Sequence, residues 1–202
     1  MRILKAALGN IKVAAKIVNE GGLVVYPTET VYGLGCDPLN VDSVERLIRV
    51  KGQRHKPLPI LACSLSDVGR IARLSELAKE ISEKFWPGPL TLVLPRKLLP
   101  NIVTFGSPNI GVRIPRNDIA LDLIRLSGGI LVGTSANKTG AHPPSTAAEA
   151  YRQLKDEVDI ILDSGVTDLE VPSTVLDLTG EKPKILRQGA VRFEEIFQGD
   201  AY

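Results

Sequence analysis

Cations, hydroxyls and glycines recur at the ends of the apolar runs of this chain. Thr28, Glu29, Thr30 and Tyr32 follow the run Leu23 to Tyr26, after Pro27 and before Gly33 and Gly35. Lys51, Arg54, His55 and Lys56 precede the run that begins at Leu58, and Arg113 and Arg116 bracket Ile114-Pro115. Thr134-Ser135-Ala136-Asn137-Lys138 follows Ile130 to Gly133, Pro172-Ser173-Thr174 precedes Val175, and Arg187 and Gly189 follow Ile185. Guanidinium groups clamp phosphate or carboxylate through two bonds, lysine supplies a point charge, and hydroxyls and backbone N–H groups complete the shell. Together these residues suit an anion that bears several oxygens. Each piece alone has a plainer reading: a solvated basic loop, a Ser or Asn turn, a paired structural arginine. Their joint recurrence is what points to a site.

Several other chemistries are disfavoured. The chain has no GxxxxGK[ST] phosphate loop, and Gly33-Leu34-Gly35 lacks the third glycine of a dinucleotide fingerprint. His55 and His142 are the only histidines, and no GxSxG elbow accompanies them, which argues against a serine triad. Cys36 and Cys63, the only cysteines, stand too far apart for a CxxC motif and read as two small reduced hydrophobes. No His/Cys/Asp/Glu cluster has structural-zinc spacing. Catalysis here would rest on positioning and charge stabilisation rather than on a strong general base.

The elements that must position these residues alternate along the chain. Ile11 to Val18 carries apolar residues at helical spacing and stops at Gly21-Gly22, where the strand Leu23 to Tyr26 begins. Pro27 ends that strand, and the hydroxyl-rich segment through Gly35 reads as a loop, its glycines free to take φ > 0 or to let a ligand approach. Asp42 and Glu45 resemble a capping box ahead of Val44, Leu47 and Ile48, as do Thr146 and Glu149 ahead of a helix through Leu154. Ser75 is placed to cap a helix that Pro87-Gly88-Pro89 ends, and Leu121 to Ile124 marks another. Leu58 to Cys63, Leu90 to Leu94, Ile110 to Ile114, Ile130 to Gly133, Ile160 to Leu162, Val175 to Leu178 and Ile185 to Leu186 complete the strands. Strands alternating with helices through uneven connections predict an α/β fold with one twisted, mixed parallel and antiparallel sheet flanked by helices. Without repeats or linkers, residues 1–202 read as a single domain.

Composition sets the limits. A hydrophobic content of 44% against 4% aromatic predicts an aliphatic core, ample for a chain of 202 residues. The formal charge is only +2, so any basic site must be local. No basic-then-apolar leader opens the sequence and no apolar run approaches a membrane span, as expected of a cytoplasmic protein.

The motifs, taken together and in order, resemble the YrdC-type family of L-threonylcarbamoyladenylate synthases. They are YPTETVYGLG (Tyr26 to Gly35), VKGQRHKPLPIL (Val50 to Leu61), FWPGPLTLVL (Phe85 to Leu94), IGVRIP (Ile110 to Pro115), GTSANKTG (Gly133 to Gly140), PSTVLDL (Pro172 to Leu178) and ILRQGA (Ile185 to Ala190). The resemblance spans nearly the whole chain and implies a twisted sheet with a basic concave cavity. It also implies a reaction that joins L-threonine, bicarbonate and ATP into threonylcarbamoyl-AMP and pyrophosphate. Magnesium would arrive with the ATP, its protein ligands unassigned. A separate transferase complex would pass the threonylcarbamoyl group to the tRNA adenosine next to the anticodon.

Carried over residue by residue, Lys51 and Arg54 match the basic pair, expected to be catalytic and to hold phosphate and carbamate or carboxylate oxygens. Ser135 and Asn137 match the serine–asparagine motif on the nucleotide, and Thr28 and Thr30 line the first loop. Arg113, Ser173 and Arg187 match further substrate-binding positions. Two departures stand out. Gly52 and Gln53 both separate Lys51 from Arg54, where the family commonly has one residue, and no histidine lies near Leu61. Three other readings compete: a tRNA- or double-stranded-RNA-binding module, a carbamoyl-phosphate enzyme of hydrogenase maturation, and a paralogue with a different carbamoyl acceptor. The first is opposed by the near-neutral charge and the second by the missing accessory segments. The spacing around Lys51 keeps the third open.

Overall fold

A computed structural model of the chain describes residues 2–52 and 56–197. In chain order the first half runs β1 (Arg2–Lys5), α1 (Leu8–Asn19), β2 (Val24–Tyr26), β3 (Gly33–Gly35), α2 (Val41–Lys51), β4 (Ile60–Ala62), α3 (Leu65–Ile71) and α4 (Glu76–Phe85). Then come β5 (Leu90–Pro95), α5 (Asn101–Thr104), β6 (Asn109–Arg113), α6 (Asp118–Leu126), β7 (Ile130–Val132) and β8 (Thr134–Ser135). The last part is α7 (Ala147–Leu154), β9 (Ile160–Asp163), β10 (Thr174–Asp177), β11 (Lys184–Arg187) and α8 (Phe193–Ile196). Among the described residues no helix is long and apolar enough to cross a membrane.

The strands form two mixed sheets where the sequence suggested one. The first has the order β1-β9-β2-β3-β8 and the second β11-β10-β5-β6-β4-β7. Parallel pairs (β1 with β9, β2 with β9, β10 with β5, β4 with β6) alternate with antiparallel ones such as β5 with β6. The inner strands β2 and β3 of the first sheet are buried on both faces, and the side-chain alternation of β2 and β9 divides two cores. Val24, Tyr26, Ile160 and Leu162 pack with Ile11, Ala14 and Val18 of α1 and Leu123 of α6. Their neighbours Val25 and Ile161 face a larger cluster that reaches Leu47, Leu90, Leu92, Val112 and Leu176.

Local chemistry explains most boundaries. The Ser75 hydroxyl accepts a bond from Ala78 N at 3.2 Å and starts α4 as expected. Asp42 does not cap α2. Asn40 does, its side chain accepting from Ser43 N at 3.1 Å, and Asp42 instead lies in the first turn. Thr146 caps α7, but Glu149 reaches one residue further back than a capping box requires, to Ser145 N at 2.8 Å.

The segment Gly33 to Gly35 is strand and not loop, antiparallel to β2. Neither glycine has positive φ. Both are there because the Tyr26 ring lies across them: a Cβ on Gly33 would stand 2.9 Å from Tyr26 Cζ, and one on Gly35 2.6 Å from Val132 O. The two sheets meet beside this strand. Val132 N donates to Cys36 O at 3.0 Å, and Gly133 N donates back to Pro59 O at 2.8 Å. The chain thus passes from β7 of one sheet to β8 of the other across a single residue, as strands do at sheet corners. Gly133 fits there because a Cβ would fall 2.3 Å from Leu61 Cγ.

A second tie holds α2 to the first sheet. Arg46 grips Asp159 through two nitrogens at 2.6 and 3.0 Å, and Leu23 N donates to the same carboxylate at 2.7 Å. Burial works to raise the Asp159 pKa, but the bonds from Arg46 and Leu23 outweigh it and hold the carboxyl below its ordinary value. A depressed folded pKa means stability that is present above the unfolded pKa and lost as pH falls through the folded one. The stability gap between wild type and Asp159→Asn, followed by urea unfolding, should be widest near neutrality and shrink below about pH 4. Gly35→Ala should lower stability by about 1–3 kcal/mol through overpacking, read as a shifted urea midpoint at unchanged slope. An unmoved midpoint would contradict the close approach of Val132 and Tyr26.

Candidate active site

A cavity of about 610 Å³ opens on one face of the second sheet. Its floor follows from strand periodicity. Thr91 and Val93 of β5, Gly111 and Arg113 of β6, and Val175 and Asp177 of β10 line it. The residues between them (Leu90, Leu92, Ile110, Val112, Leu176) point to the opposite face and are buried in the large core. The same strands therefore build the core and the site.

The opposite wall comes from the first sheet. Thr28, Thr30, Tyr32 and Ser135 line it, from the turn after β2 and from β8. The direction of each proton in this turn can be read from its partners. Arg113 Nη1 donates to Thr30 Oγ1 at 3.2 Å, and Thr30 and Thr28 share a hydroxyl–hydroxyl bond at 2.9 Å. Thr28 donates to Val31 O at 2.7 Å, so the proton between the two threonines belongs to Thr30. Outside support comes from Thr167, whose hydroxyl donates to Thr30 O at 3.0 Å, and from Leu169 N, which donates to Glu29 O at 2.9 Å. Tyr32 OH donates to Gly165 O at 2.8 Å.

Two arginines supply the charge. Arg113 is 5% exposed and meets Glu29, which is 0% exposed, at 3.3 Å. Glu29 Oε2 and Arg113 Nε have no hydrogen-bond partner among the described residues. Arg187 has no carboxylate partner among the described residues. Its Nε and Nη2 donate to Ser173 O at 3.1 and 2.8 Å, and Nη2 also donates to Ser173 Oγ at 3.1 Å. Ser173 Oγ in turn bonds Thr91 Oγ1 at 2.9 Å. Arg187 keeps much surface open to solvent, yet partial burial first, and the like charge of Arg113 second, pull its pKa below the usual arginine value.

Six of the expected residues therefore share the cavity: Thr28, Thr30, Arg113, Ser135, Ser173 and Arg187. Lys51 and Asn137 are not in its lining. Lys51, in the last turn of α2, is 2% exposed, and its Nζ donates to Ser135 O and Asn137 O, both at 2.6 Å. Asn137 donates from Nδ2 to Lys138 O and Ala141 O at 2.8 and 2.7 Å, bracing its own loop. Lys51 thus stands directly behind Ser135 and holds the β8 backbone in place. Arg54, like Gln53 and His55, lies outside the described residues.

The sequence reading missed Thr91, Asn109, Gly111 and Asp177, all of which line the cavity. Parity was the available signal. Each sits at an alternate position to the buried residues of its own strand, where a strand shielded on both faces would be apolar throughout.

Comparison with known proteins now bears on this geometry. The Sua5/YciO/YrdC family model, described as telomere recombination, matches residues 16–189. The chain belongs to this family. It is 40% identical over 189 residues to a threonylcarbamoyl-AMP synthase of Pyrococcus abyssi, covering 92% of this chain and 56% of that protein. A Bacillus subtilis protein of the same name is 37% identical, with 91% of this chain and 54% of that one covered. The crystal structure of P. abyssi Sua5 complexed with L-threonine superposes with a TM-score of 0.94 at 38% identity, covering 97% of this chain and 60% of that one. The chain thus spans a little over half the length of these relatives. The mixed α/β architecture predicted from the motifs agrees with that neighbour.

Lys51→Met leaves the Ser135 and Asn137 carbonyls without their ammonium donor. The variant should lose about 1–3 kcal/mol in chemical denaturation, the cost of stranding buried acceptors. Wild-type stability would show that Lys51 does not hold the corner.

Proposed function

We propose that the protein is a threonylcarbamoyl-AMP synthase, condensing L-threonine, bicarbonate and ATP to threonylcarbamoyl-AMP with release of pyrophosphate. The observation that carries this reading is the pair Arg113 and Arg187, facing a hydroxyl-lined cavity with a single carboxylate, Asp177, among its described lining residues. The names of the 37–40% identical relatives and the threonine bound to P. abyssi Sua5 support it. So does the chemistry. The threonine amine nitrogen bonds to the bicarbonate carbon as a carbon–oxygen bond of bicarbonate breaks. That oxygen leaves as water with a proton from the nitrogen, giving a carbamate. A carbamate oxygen then bonds to the α-phosphorus as the bond to the β-phosphate oxygen breaks and pyrophosphate leaves.

Negative charge gathers at each stage, and fixed donors stabilise it without reorganising. Arg187 and Arg113 would take phosphoryl and carboxylate oxygens, with Ser173, Ser135, Thr28 and Thr30 completing the shell. Lys51 would act from behind Ser135 by setting the β8 backbone and adding its charge. Arg54 is assigned to the same anionic groups from the motif alone. Lys51 and Arg54 thus remain the proposed basic pair, and Asn137 would serve the nucleotide by shaping the loop that carries Ser135.

Among the described residues no group of three or more His, Cys, Asp or Glu could hold a metal ion. That donor set fits magnesium carried by nucleotide phosphates and water, where it would neutralise phosphate charge, rather than a protein cage. We further propose a single domain acting in the cytoplasm, whose product passes to a transferase for the tRNA adenosine next to the anticodon.

The test incubates the protein with ATP, bicarbonate and labelled L-threonine and measures pyrophosphate and a threonine-bearing adenylate. Arg187→Ala and Arg113→Ala should each slow adenylate formation by at least ~100-fold, the scale of removing one transition-state donor. Absence of adenylate from the wild type would sink the synthase reading, and undiminished rates in both variants would misplace the site.

A further inference from the structure

The connection that leaves β9 of the first sheet and enters β10 of the second, Ser164 to Ser173, lies along the turn that forms the cavity wall. Ser164 N donates to Tyr32 OH at 3.1 Å, and that hydroxyl donates to Gly165 O at 2.8 Å. Thr167 Oγ1 then donates to Thr30 O at 3.0 Å, and Leu169 N to Glu29 O at 2.9 Å. Partners that rise along the connection fall along the turn, so the two segments run antiparallel. The connection ends at Ser173, whose O and Oγ accept from Arg187. One strap of chain thus meets the cavity wall, the carboxylate residue beside Arg113, and the residue that holds Arg187.

Burial singles out one side chain in this strap. Between Ser164 and Val171 every residue is exposed except Leu169, which is partly covered, and Thr167, which is 5% exposed. Thr167 does not line the cavity. Its N donates to Ser145 O at 3.0 Å, and its hydroxyl proton is committed to Thr30 O. A valine would fill the same space with no polar group to desolvate, so the hydroxyl is present for its bond.

The turn is held from two sides. Thr28 Oγ1 accepts from Thr30 N at 3.2 Å and from Val31 N at 3.3 Å, which secures these N–H groups from within. The carbonyls of Glu29 and Thr30 are secured from the strap. Thr30 is also the residue whose Oγ1 receives Arg113 Nη1 and bonds Thr28. Loosening its carbonyl frees the turn to shift that hydroxyl out of line with Arg113.

We infer that Thr167 is a positioning residue for the reaction. It fixes Thr30 from behind the wall, and through the Thr30 hydroxyl it sets the geometry in which Arg113 and Thr28 face the substrates. The inference rests on the synthase reading above. A displacement of about 1 Å at such groups can cost ~100-fold in rate with no change of charge.

The test follows adenylate formation from ATP, bicarbonate and labelled L-threonine at a temperature where circular dichroism shows each variant folded. Thr167→Val should lower kcat/KM by at least ~10-fold, the value of one buried acceptor left unpaired. Thr167→Ser keeps the donor and should stay within ~3-fold of wild type. A side chain that only stabilised the fold would move the urea midpoint and leave the rate of the folded protein alone. A double-mutant cycle reads the route. Thr30→Val removes the hydroxyl that Thr167 positions, so adding Thr167→Val to it should cost less than ~3-fold further.

A folded Thr167→Ser protein as slow as the valine variant overturns the inference. So do losses that multiply in full across the cycle, because Thr167 would then act elsewhere than through Thr30. Where Thr167→Val does not fold, Thr167→Ala carries the same criteria, since it keeps the N–H bond to Ser145 and adds no bulk. A wild type that makes no adenylate sinks the synthase reading and this inference with it. Adenylate made equally fast by the wild type and the valine variant removes this inference alone.

Discussion

Everything at the site depends on a guanidinium held between two sheets. Arg113 ends a strand of the second sheet, and its carboxylate partner, Glu29, belongs to the turn of the first. Both are buried, so each is tolerated only because of the other. Removing one partner of such a pair typically costs about 3–5 kcal/mol, since a bare charge remains in a poor solvent. The cavity walls are therefore tied at the point where the ligand's charge must be met. The hydroxyl order of Thr30 and Thr28 follows from the same contact, because Arg113 can only donate. Glu29 Oε2 and Arg113 Nε have no hydrogen-bond partner among the described residues, so the pair is not an optimised structural salt bridge. Its geometry serves the side of Arg113 that faces the cavity.

The second sheet can carry this arrangement because its two faces have opposite tasks. Leu90, Leu92, Ile110, Val112 and Leu176 anchor it to the large core, and the residues between them are free to be polar. A rigid sheet then fixes the relative positions of Thr91, Arg113, Asp177 and Asn109 more closely than a loop could. The inner strands β2 and β3 of the first sheet are buried on both faces, and that sheet lends the cavity its turn and its edge strand β8. Lys51 compensates by fastening β8 to the C-terminal end of α2, where a cation is also favoured by the helix dipole.

Much of this was legible in the sequence, for reasons that differ between residues. Periodicity located α1 and α4, and the Ser75 cap and Pro87 bounded α4. Motif positions placed Thr28, Thr30, Arg113, Ser135, Ser173 and Arg187 in one cavity. Gly33 and Gly35 misled, since glycine reads as a turn while here it makes room for the Tyr26 ring, a contact between strands. Lys51 and Asn137 belong to the expected motifs but point at backbone carbonyls, and no local pattern distinguishes a lysine facing solvent, substrate or carbonyl. The split into two sheets hinges on Gly133 meeting Leu61, a contact of residues far apart in the chain. Asp177 and Asn109 were readable by parity, and they were overlooked because a polar residue beside a strand end resembles a turn residue.

The charges themselves explain why the cavity should prefer an occupied state. Partial burial first, and the like charge of Arg113 second, hold the pKa of Arg187 below the usual arginine value. Among the described residues Glu29 answers one of them, and neutral oxygens of Ser173 answer the other. The fold holds this repulsion in place through the strand pairing of β5 with β6 and β10, and through the buried Glu29 contact. An anion with several oxygens would relieve it, and relief of a repulsion already built into the fold would need no rearrangement of the walls. Asp177, in the adjoining row of the same sheet face, carries the opposite sign.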